Sequence, residues 1–541
     1  MESTLAAPPV PQRTESTAKS DDQVTVVDQT ASIPEPAKKK DIRFWLIFLA
    51  LCVSTFLSAL ELTSVSTTLP TIVESLNGHD FAWVGSAYTL GSTAFMPMSG
   101  GFAEIFGRRP IMLTSLLIFA IGSAISGAAQ SMNMLIAGRT IQGIGGGGII
   151  TLTDIIVADL VPLAERGPYL GIVGAVWAIA SAIGPPIGGA FAESNWRWLF
   201  YMNLPVAGVA MALVLVFLRL NTPKEPFRQK IARIDWIGNF LVIGSTAATV
   251  IALTWAGARY SWSSYQVLVP LIVGIAGLTG ALAYEFTFAV EPIVPRELLA
   301  NRTSLSGYLG TFFHGIIMTA VVYYLPVYFQ ASRGDSPIKS GIDLFGVAFT
   351  VAPFGIFTGI STVVFKKYRP QNYIAWVIML VGTGIFSTLK YNSSKANAIG
   401  FQVLFGVGSG ILYSSTTFAV LAPLPVSRNA PALALFSFIR TFAGTYGVAV
   451  GSSVLQTELT RRLPIEFAAR FPGGSDIAFS AIPQVRAAFA DSIAVLWQVM
   501  IGISGMGLLS VLLMKEIEMG TQTDEKWAME QQKKVDADGK A

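Results

Sequence analysis

The sequence predicts an all-α membrane protein of fourteen transmembrane helices, built as two six-helix pseudo-repeat bundles with two further spans inserted between them. Three observations carry this expectation. Charge is scarce: 13% of the 541 residues are Asp, Glu, Lys or Arg, against about 25% in an average soluble protein. Apolar residues, 52% of the chain, gather in blocks of about 20, the length that a bilayer core about 30 Å thick demands. Similar glycine patterns and basic loops also recur in the two halves of the chain.

The elements follow in order. Residues 1–43, rich in Pro, Ser, Thr and charge, read as a disordered tail, with the first span acting as an uncleaved signal. Apolar blocks place spans near 44–66, 83–103, 111–130, 132–157, 169–192 and 198–219, an N-terminal bundle over 44–220. A charged loop and the inserted spans, 236–257 and 266–288, fill 221–303. Spans near 304–329, 341–365, 372–390, 398–424, 431–456 and 492–514 make a C-terminal bundle over 304–515, followed by a tail over 516–541. The mixed stretch 463–490 reads as an outer loop lying partly on the membrane surface.

An even number of spans puts both termini on one side, and the positive-inside rule makes that side cytoplasmic. The inner loops then hold most of the basic loop residues, among them Arg108, Arg109, Arg166, Arg228, Lys230, Lys366, Lys367 and Arg428. On this topology Asn392, in an Asn-Ser-Ser sequence on an outer loop, is a glycosylation acceptor, whereas Asn301, on an inner loop, stays bare.

The repeat is visible in two places. GGFAEIFGRRP (100–110) after span 2 corresponds to TGISTVVFKKYRP (358–370) after span 10. Gly143, Gly145 and Gly147 in span 4 correspond to Gly406, Gly408 and Gly410 in span 12. Transporters are commonly built from such repeats, with the substrate site between them near mid-membrane.

Four features carry candidate chemistry. The loop after span 2 spaces Gly100, Glu104, Gly107, Arg108 and Arg109. Its glycines permit a tight turn and close approach of helices, and Glu104 can pair with a neighbouring arginine or a helix N-terminus; an ordinary basic inner loop is the plainer reading. Span 4 carries Arg139, Gln142, Gly143 and Gly145. Arg139 lies roughly 10 Å, and Glu61 of span 1 about 8 Å, from the outer ends of their spans. Matching depth suggests a pair or a shared wet cavity, since an unpaired charge in a span is costly; alternatively each snorkels to the interface alone. Span 5 ends in Gly184, Pro185, Pro186, Gly188 and Gly189, a bend with room for a close neighbour.

His314 and Arg440 fall near mid-membrane, about 15 Å and 14 Å deep. His314 could take a proton or be a packed, hydrogen-bonded group. Arg440 could attract an anion or pair with a polar neighbour. Asp154, Asp159 and Glu285 read as gate or interfacial groups at inner span ends. Of the aromatics Phe312, Phe313, Tyr323, Tyr324 and Tyr328, some could line an apolar cavity, although a membrane-interface belt is the plainer reading.

Other classes are excluded. Two histidines and one cysteine, Cys52 inside span 1, leave no metal cluster and no disulfide framework. No Walker or G-x-S-x-G sequence is present, so neither ATP nor nucleophilic chemistry is served. A net charge of +4 is too small to suggest a nucleic-acid partner.

Together these motifs resemble the major facilitator superfamily, and within it the fourteen-span drug:proton antiporter family of fungal type. Residues 100–109 are similar to that superfamily's motif A, Arg139 to Gly145 to motif B, and Gly184 to Gly189 to motif C, associated with antiporters. LELTSVSTTLP (60–70), Trp196-Arg197-Trp198 through Asn203-Leu204-Pro205, and Asp235 with Gly238 extend the resemblance over roughly residues 44–515. Glu61 and Glu104 stand where the family usually has Asp, keeping the carboxylate on a longer arm. The resemblance implies an alternating-access exporter of small, partly apolar compounds (drugs, toxins or secondary metabolites) by proton antiport. Glu61 would accept the proton, tuned by Arg139, with His314, Arg440 and Asp154 as second candidates. Glu104, Arg108 and Arg109 would form an inner latch, and the Gly184–Gly189 bend would let the halves rock. The implied partners are a small-molecule substrate, protons and the lipid bilayer. The chain would act as a monomer in the cell membrane, or the vacuolar membrane, with no cofactor beyond the proton gradient. The same fold could run as a proton symporter or vacuolar importer of amino acids or siderophores; a receptor or scaffold that moves nothing is the rival of another class.

Overall fold

The computed structural model describes residues 40–76, 81–221, 225–257, 259–463 and 483–527. The chain divides into two units, Met1–Asp41 and Ile42–Ala541. The first lies almost wholly outside the described residues, and with it most of the expected 1–43 tail.

A chain in lipid must satisfy its backbone internally, so helices are the available solution here. Those of the second unit are α1 (Ile42–Ser75), α2 (Phe81–Phe106), α3 (Arg108–Gly127), α4 (Met132–Leu160), α5 (Gly167–Glu193), α6 (Asn203–Phe217), α7 (Trp236–Trp255), α8 (Tyr265–Thr287), α9 (Arg302–Val327), α10 (Phe345–Phe365), α11 (Arg369–Phe386), α12 (Lys395–Leu421), α13 (Asn429–Arg462) and α14 (Pro483–Ser510). Shorter helical turns join them. Among the described residues there is no strand, only an isolated bridge between Ala256 and Tyr260. Polar side chains start several helices. Ser131 accepts from Met134 N at 3.3 Å, Asp235 from Gly238 N at 2.8 Å, and Asn301 from Thr303 N at 2.8 Å, each satisfying an otherwise orphaned amide.

Among the described residues, twelve helices are both long and apolar enough to cross a membrane. α2 and α11, with 26 and 18 residues, occupy the places of the expected spans 2 and 11. They fall short on apolarity: α2 is rich in Ser, Thr and Gly, and α11 opens on Arg369-Pro-Gln-Asn. Ile272, Val273, Phe240 and Leu512 are exposed rather than packed in a core, as side chains facing lipid must be.

Several boundaries differ from the sequence reading. α1 continues nine residues beyond 66, because Ile72 is buried against Leu135 and Phe200 and keeps the helix in register. α14 begins at Pro483, not 492, since Val485, Ala488 and Phe489 already belong to the core. Arg461 and Arg462, beyond the expected span end at 456, lie on the last turn of α13 and pair with Glu458. Most of the expected surface loop, 464–482, lies outside the described residues.

The repeat holds in three dimensions. A Cβ at Gly143 or Gly147 would meet the backbone of α2, and one at Gly145 that of α3. A Cβ at Gly406 or Gly410 would meet α10, and one at Gly408 would meet α11. In each bundle a glycine-lined helix is thus wedged between the second and third helices. The bundles meet along α2 with α13 and along α5 with α10; α7 and α8 pack on each other, and α7 touches both α2 and α13.

Candidate functional site

Glu61 sits within α1, and everything that holds it comes from the N-terminal helices. Arg139 of α4 pairs with Oε1 through Nη1, and Asn203 of α6 donates to Oε2. The guanidinium spends its remaining reach on Gln142 Oε1 at 2.6 Å and on Val84 O, which accepts from Nε at 3.1 Å. Its face lies 4.7 Å from the centre of the Tyr88 ring. Gln142 in turn donates to Ser123 Oγ at 2.7 Å, and Tyr88 Oη shares a hydrogen bond with Ser58 at 3.0 Å. Glu61 is 0% and Arg139 1% exposed. The pairing therefore forms, and neither group snorkels. An isolated buried charge costs several kcal/mol; the guanidinium and the amide compensate this one.

A second cluster spans the two bundles. Asp154 of α4, Arg166, Leu170 and Val173 from one side, and Tyr413, Thr417, Leu433, Phe436 and Arg440 from the other, enclose a cavity of about 20 Å³, room for one water. Ser437 Oγ of α13 donates to Asp154 Oδ2 at 3.2 Å, a bond across the bundle interface. Arg440 lies between the rings of Tyr413 and Phe436, 4.1 and 4.4 Å from their centres, and donates to Tyr413 O at 3.2 Å. Its Nε has no protein partner among the described residues. Arg166 donates to the carbonyls of Ala158 and Val161. Burial pulls its pKa down to about 10, against the opposing pull of Asp159 and Asp154, so it remains charged at neutral pH.

His314 is a packed group in this state: its Nε2 meets Ser409 Oγ at 2.8 Å inside the C-terminal bundle. Tyr324 and Tyr328 are also packed, donating to the carbonyls of Val448 at 2.6 Å and Lys390 at 2.8 Å. Phe312 and Phe313 join a ladder of rings with Tyr446, Phe442 and Phe438 on α13, with neighbouring centres 5.3–5.9 Å apart.

Residues 100–109, expected as a loop, are instead the last turns of α2 and the start of α3 joined at Gly107, at the end of the molecule that carries the basic loops. Gly107 has φ 97°, a conformation glycine adopts without strain, and this turn delivers Arg108 to the start of α3. Of the two partners open to Glu104, a neighbouring arginine or a helix N-terminus, the arginine is not taken up as an ion pair among the described residues. Arg108 instead grips Asp159, at 2.8 Å from Nε and 3.4 Å from Nη2, with Nη1 on Ala103 O at 2.9 Å. Asp159, in the last turn of α4, is buried directly opposite Arg108, whereas Glu104 stands one turn back. It feels the charges of Arg108, Lys526 and Arg428, without an ion pair among the described residues. Arg109 turns away to the carbonyl of Leu215. Gly100 lies on the bundle interface, where a Cβ would be 2.6 Å from Ala434 Cβ. Gly167 and Gly359, which the sequence reading did not single out, press backbone to backbone across the same interface.

Toward the opposite end, α5 passes through Pro185 and Pro186 without breaking. Gly184 lies against Thr63 and Ser64 of α1, and Gly188 O accepts from Thr68 at 3.1 Å. Gly189 faces Ile338, and Pro185 faces Gly341, both in the short helix Pro337–Ile342. The Gly184–Gly189 stretch is thus seated between α1 and the other bundle. Asn392 is exposed in the turn before α12, and Asn301 is occupied as the cap of α9.

Comparison with known proteins agrees with this architecture. The profile described as Major Facilitator Superfamily matches residues 51–448. The chain is 38% identical over 519 residues to the MFS-type efflux pump LUC4 of Fusarium sp, covering 92% of each. It is 38% identical to the Efflux pump FUS6 of Gibberella fujikuroi, over 92% of this chain and 94% of that one. Against the Acurin A biosynthesis cluster MFS-type transporter of Aspergillus aculeatus the identity is 38%, with 91% and 93% covered. Among solved structures, the human organic anion transporter MFSD10 superposes with a TM-score of 0.58 at 15% identity, over 88% of this chain and all of that one. The proton:xylose symporter XylE gives 0.58 at 15%, over 89% and 98%. Those two likenesses speak to the fold. The length of the profile match and the identity to whole transporters place this chain, a multi-pass membrane transporter and not an enzyme, in the major facilitator superfamily.

Proposed function

We propose that the chain exports small, partly apolar compounds of the secondary-metabolite or toxin class in exchange for protons, by alternating access of its two bundles. The efflux names of its relatives support the direction, and one relative's name ties it to a biosynthetic cluster. The observation that carries proton coupling is the sealed Glu61, a carboxylate with one guanidinium and one amide on its oxygens and no surface exposure. Gaining a proton removes its charge and frees Arg139, which keeps Gln142 and Val84 as acceptors. That exchange reorganises contacts among α1, α4 and α6 within one bundle. Asp154 and Ser437 then report the second step, because their bond must break when the bundles separate at the basic-loop end.

The ring ladder of α9 and α13 supplies an apolar wall, and the unpartnered N–H of Arg440 supplies a donor to an acceptor group on the substrate. In this reading all fourteen helices cross the bilayer as a monomer, the basic-loop end is cytoplasmic, and Asn392 lies outside.

The test is Glu61→Gln assayed by labelled-substrate flux in vesicles under an imposed pH difference. The variant is expected to reach the membrane and lose at least about tenfold in pH-driven export, the scale of one coupled group. Export at the normal rate would remove Glu61 from the mechanism, and substrate moving with the protons would make the chain a symporter.

A further inference from the structure

The segment after α14 does not leave the molecule as a free tail. Lys515 N donates to Thr303 Oγ1 at 3.0 Å, and Tyr368 Oη donates to Lys515 O at 3.0 Å and accepts from Ile517 N at 3.1 Å. The Glu516 carboxylate accepts from Tyr368 N at 3.0 Å and Arg369 N at 3.3 Å, capping the N-terminus of α11. These anchors all belong to the C-terminal bundle. The chain then crosses to the other bundle. Gly520 O accepts from Ala164 N at 3.2 Å, between α4 and α5. Seven residues on, Trp527 is 2% exposed and lies with its ring centre 3.4 Å from Arg108 Cζ.

That last contact completes the coordination of one guanidinium. The edges of Arg108 are committed to Asp159 and to Ala103 O, and the indole covers its face. A planar cation is held best in this way, with donors satisfied in plane and an aromatic quadrupole above. The ring also keeps water from the ion pair, whose members are 2% and 4% exposed. An ion pair screened from water is worth more than the same pair wetted.

We propose that residues 515–527 form a clasp across the basic-loop end, and that Trp527 is a positioning residue which holds the Arg108–Asp159 pair in its closed arrangement. The clasp is tied to one bundle by Glu516 and Lys515 and to the other by Gly520 and Trp527, so that end cannot open while both ties are made. The anchor at Gly520 and Trp527 is the tie that gives: one backbone hydrogen bond and one ring on one guanidinium, against five hydrogen bonds at the other anchor. The clasp thereby sets how often the basic-loop end opens. This rests on the alternating access proposed above, which the same experiment reads separately.

The experiment uses the full-length chain in detergent, with Cys52→Ser and a reporter at Leu433→Cys, a buried position lining the interface cavity. The labelling rate of that thiol by a polar maleimide measures opening. Trp527→Ala and Trp527→Leu are expected to label about tenfold faster than the parent, the loss of a desolvated cation–π contact, while Trp527→Phe stays near the parent rate. Transition temperatures of all samples should agree within about 2 °C, because the ring touches the bundle at its edge and not its core. Equal, measurable rates in parent, Ala and Leu variants would overturn the clasp and leave alternating access standing. No labelling in any background would overturn alternating access and the clasp with it.

Discussion

At the scale of single residues, Glu61 and Arg139 were legible because a charge inside an apolar block is costly and therefore conspicuous. Their partner Asn203 was not. It lies 142 positions from Glu61, and an amide in a span carries no comparable signal. Asp159 was missed as the partner of Arg108 for a related reason: sequence proximity favoured Glu104, but the α4 terminus comes back beside the start of α3. The energetics of the sealed pair make a prediction. Arg139→Met leaves the carboxylate buried and uncompensated, so it should destabilise the purified protein by about 3–5 kcal/mol. Adding Glu61→Gln to that variant removes the stranded charge and should recover most of the loss. Thermal unfolding of the two single variants and the double variant in detergent measures this coupling; additive losses would mean that the pair contributes nothing as a pair.

At the scale of elements, hydropathy located the helices, and positional repeats located the wedge of α4 and α12. What hydropathy could not give was helix length beyond the apolar stretch, because tertiary burial rather than composition extends α1 to Ser75 and starts α14 at Pro483. Nor could it show that Gly167 and Gly359, neither in a conspicuous motif, would meet backbone to backbone between the two bundles. A methyl group at position 359 meets the backbone of Gly167, which cannot move aside as a side chain could. Gly359→Ala should therefore keep its helix, since alanine is the better helix former, yet prevent the basic-loop end from closing. Export should fall at least about tenfold while the protein stays monodisperse, an effect of backbone overpacking on one state. Gly101→Ala, with no atom within 4 Å of the new Cβ, is the silent control. Flux and gel filtration on the two variants decide it, and normal export by Gly359→Ala would show that this contact does not form in the cycle.

At the scale of the whole molecule, two bundles touch along α2 with α13 and α5 with α10, and Gly100, Gly167, Gly171 and Gly359 bring the backbones close at those seams. Such seams can slide or part with little side-chain rearrangement. The N-terminal bundle has a core of its own around Leu51, Leu116, Leu152 and Val214, whereas the core of the C-terminal bundle also takes in Met96, Ile155 and Ala158 from across the seam. The sealed carboxylate belongs to one body, and the Asp154–Ser437 bond and the C-terminal clasp join the two. In the proposed proton antiport, a proton taken up by the first would in this way be converted into a change at the second. Twofold organisation was readable from the repeated glycines and basic loops; the cross-links between the bundles were not, because each joins segments hundreds of residues apart.

The most direct measurement is substrate flux into sealed liposomes carrying the purified chain with its basic-loop end outward. Proton antiport predicts that an acidic lumen drives accumulation well above the equilibrium level, and that collapsing the pH difference abolishes it. Uptake at the same rate and to the same level with and without the pH difference would contradict the account.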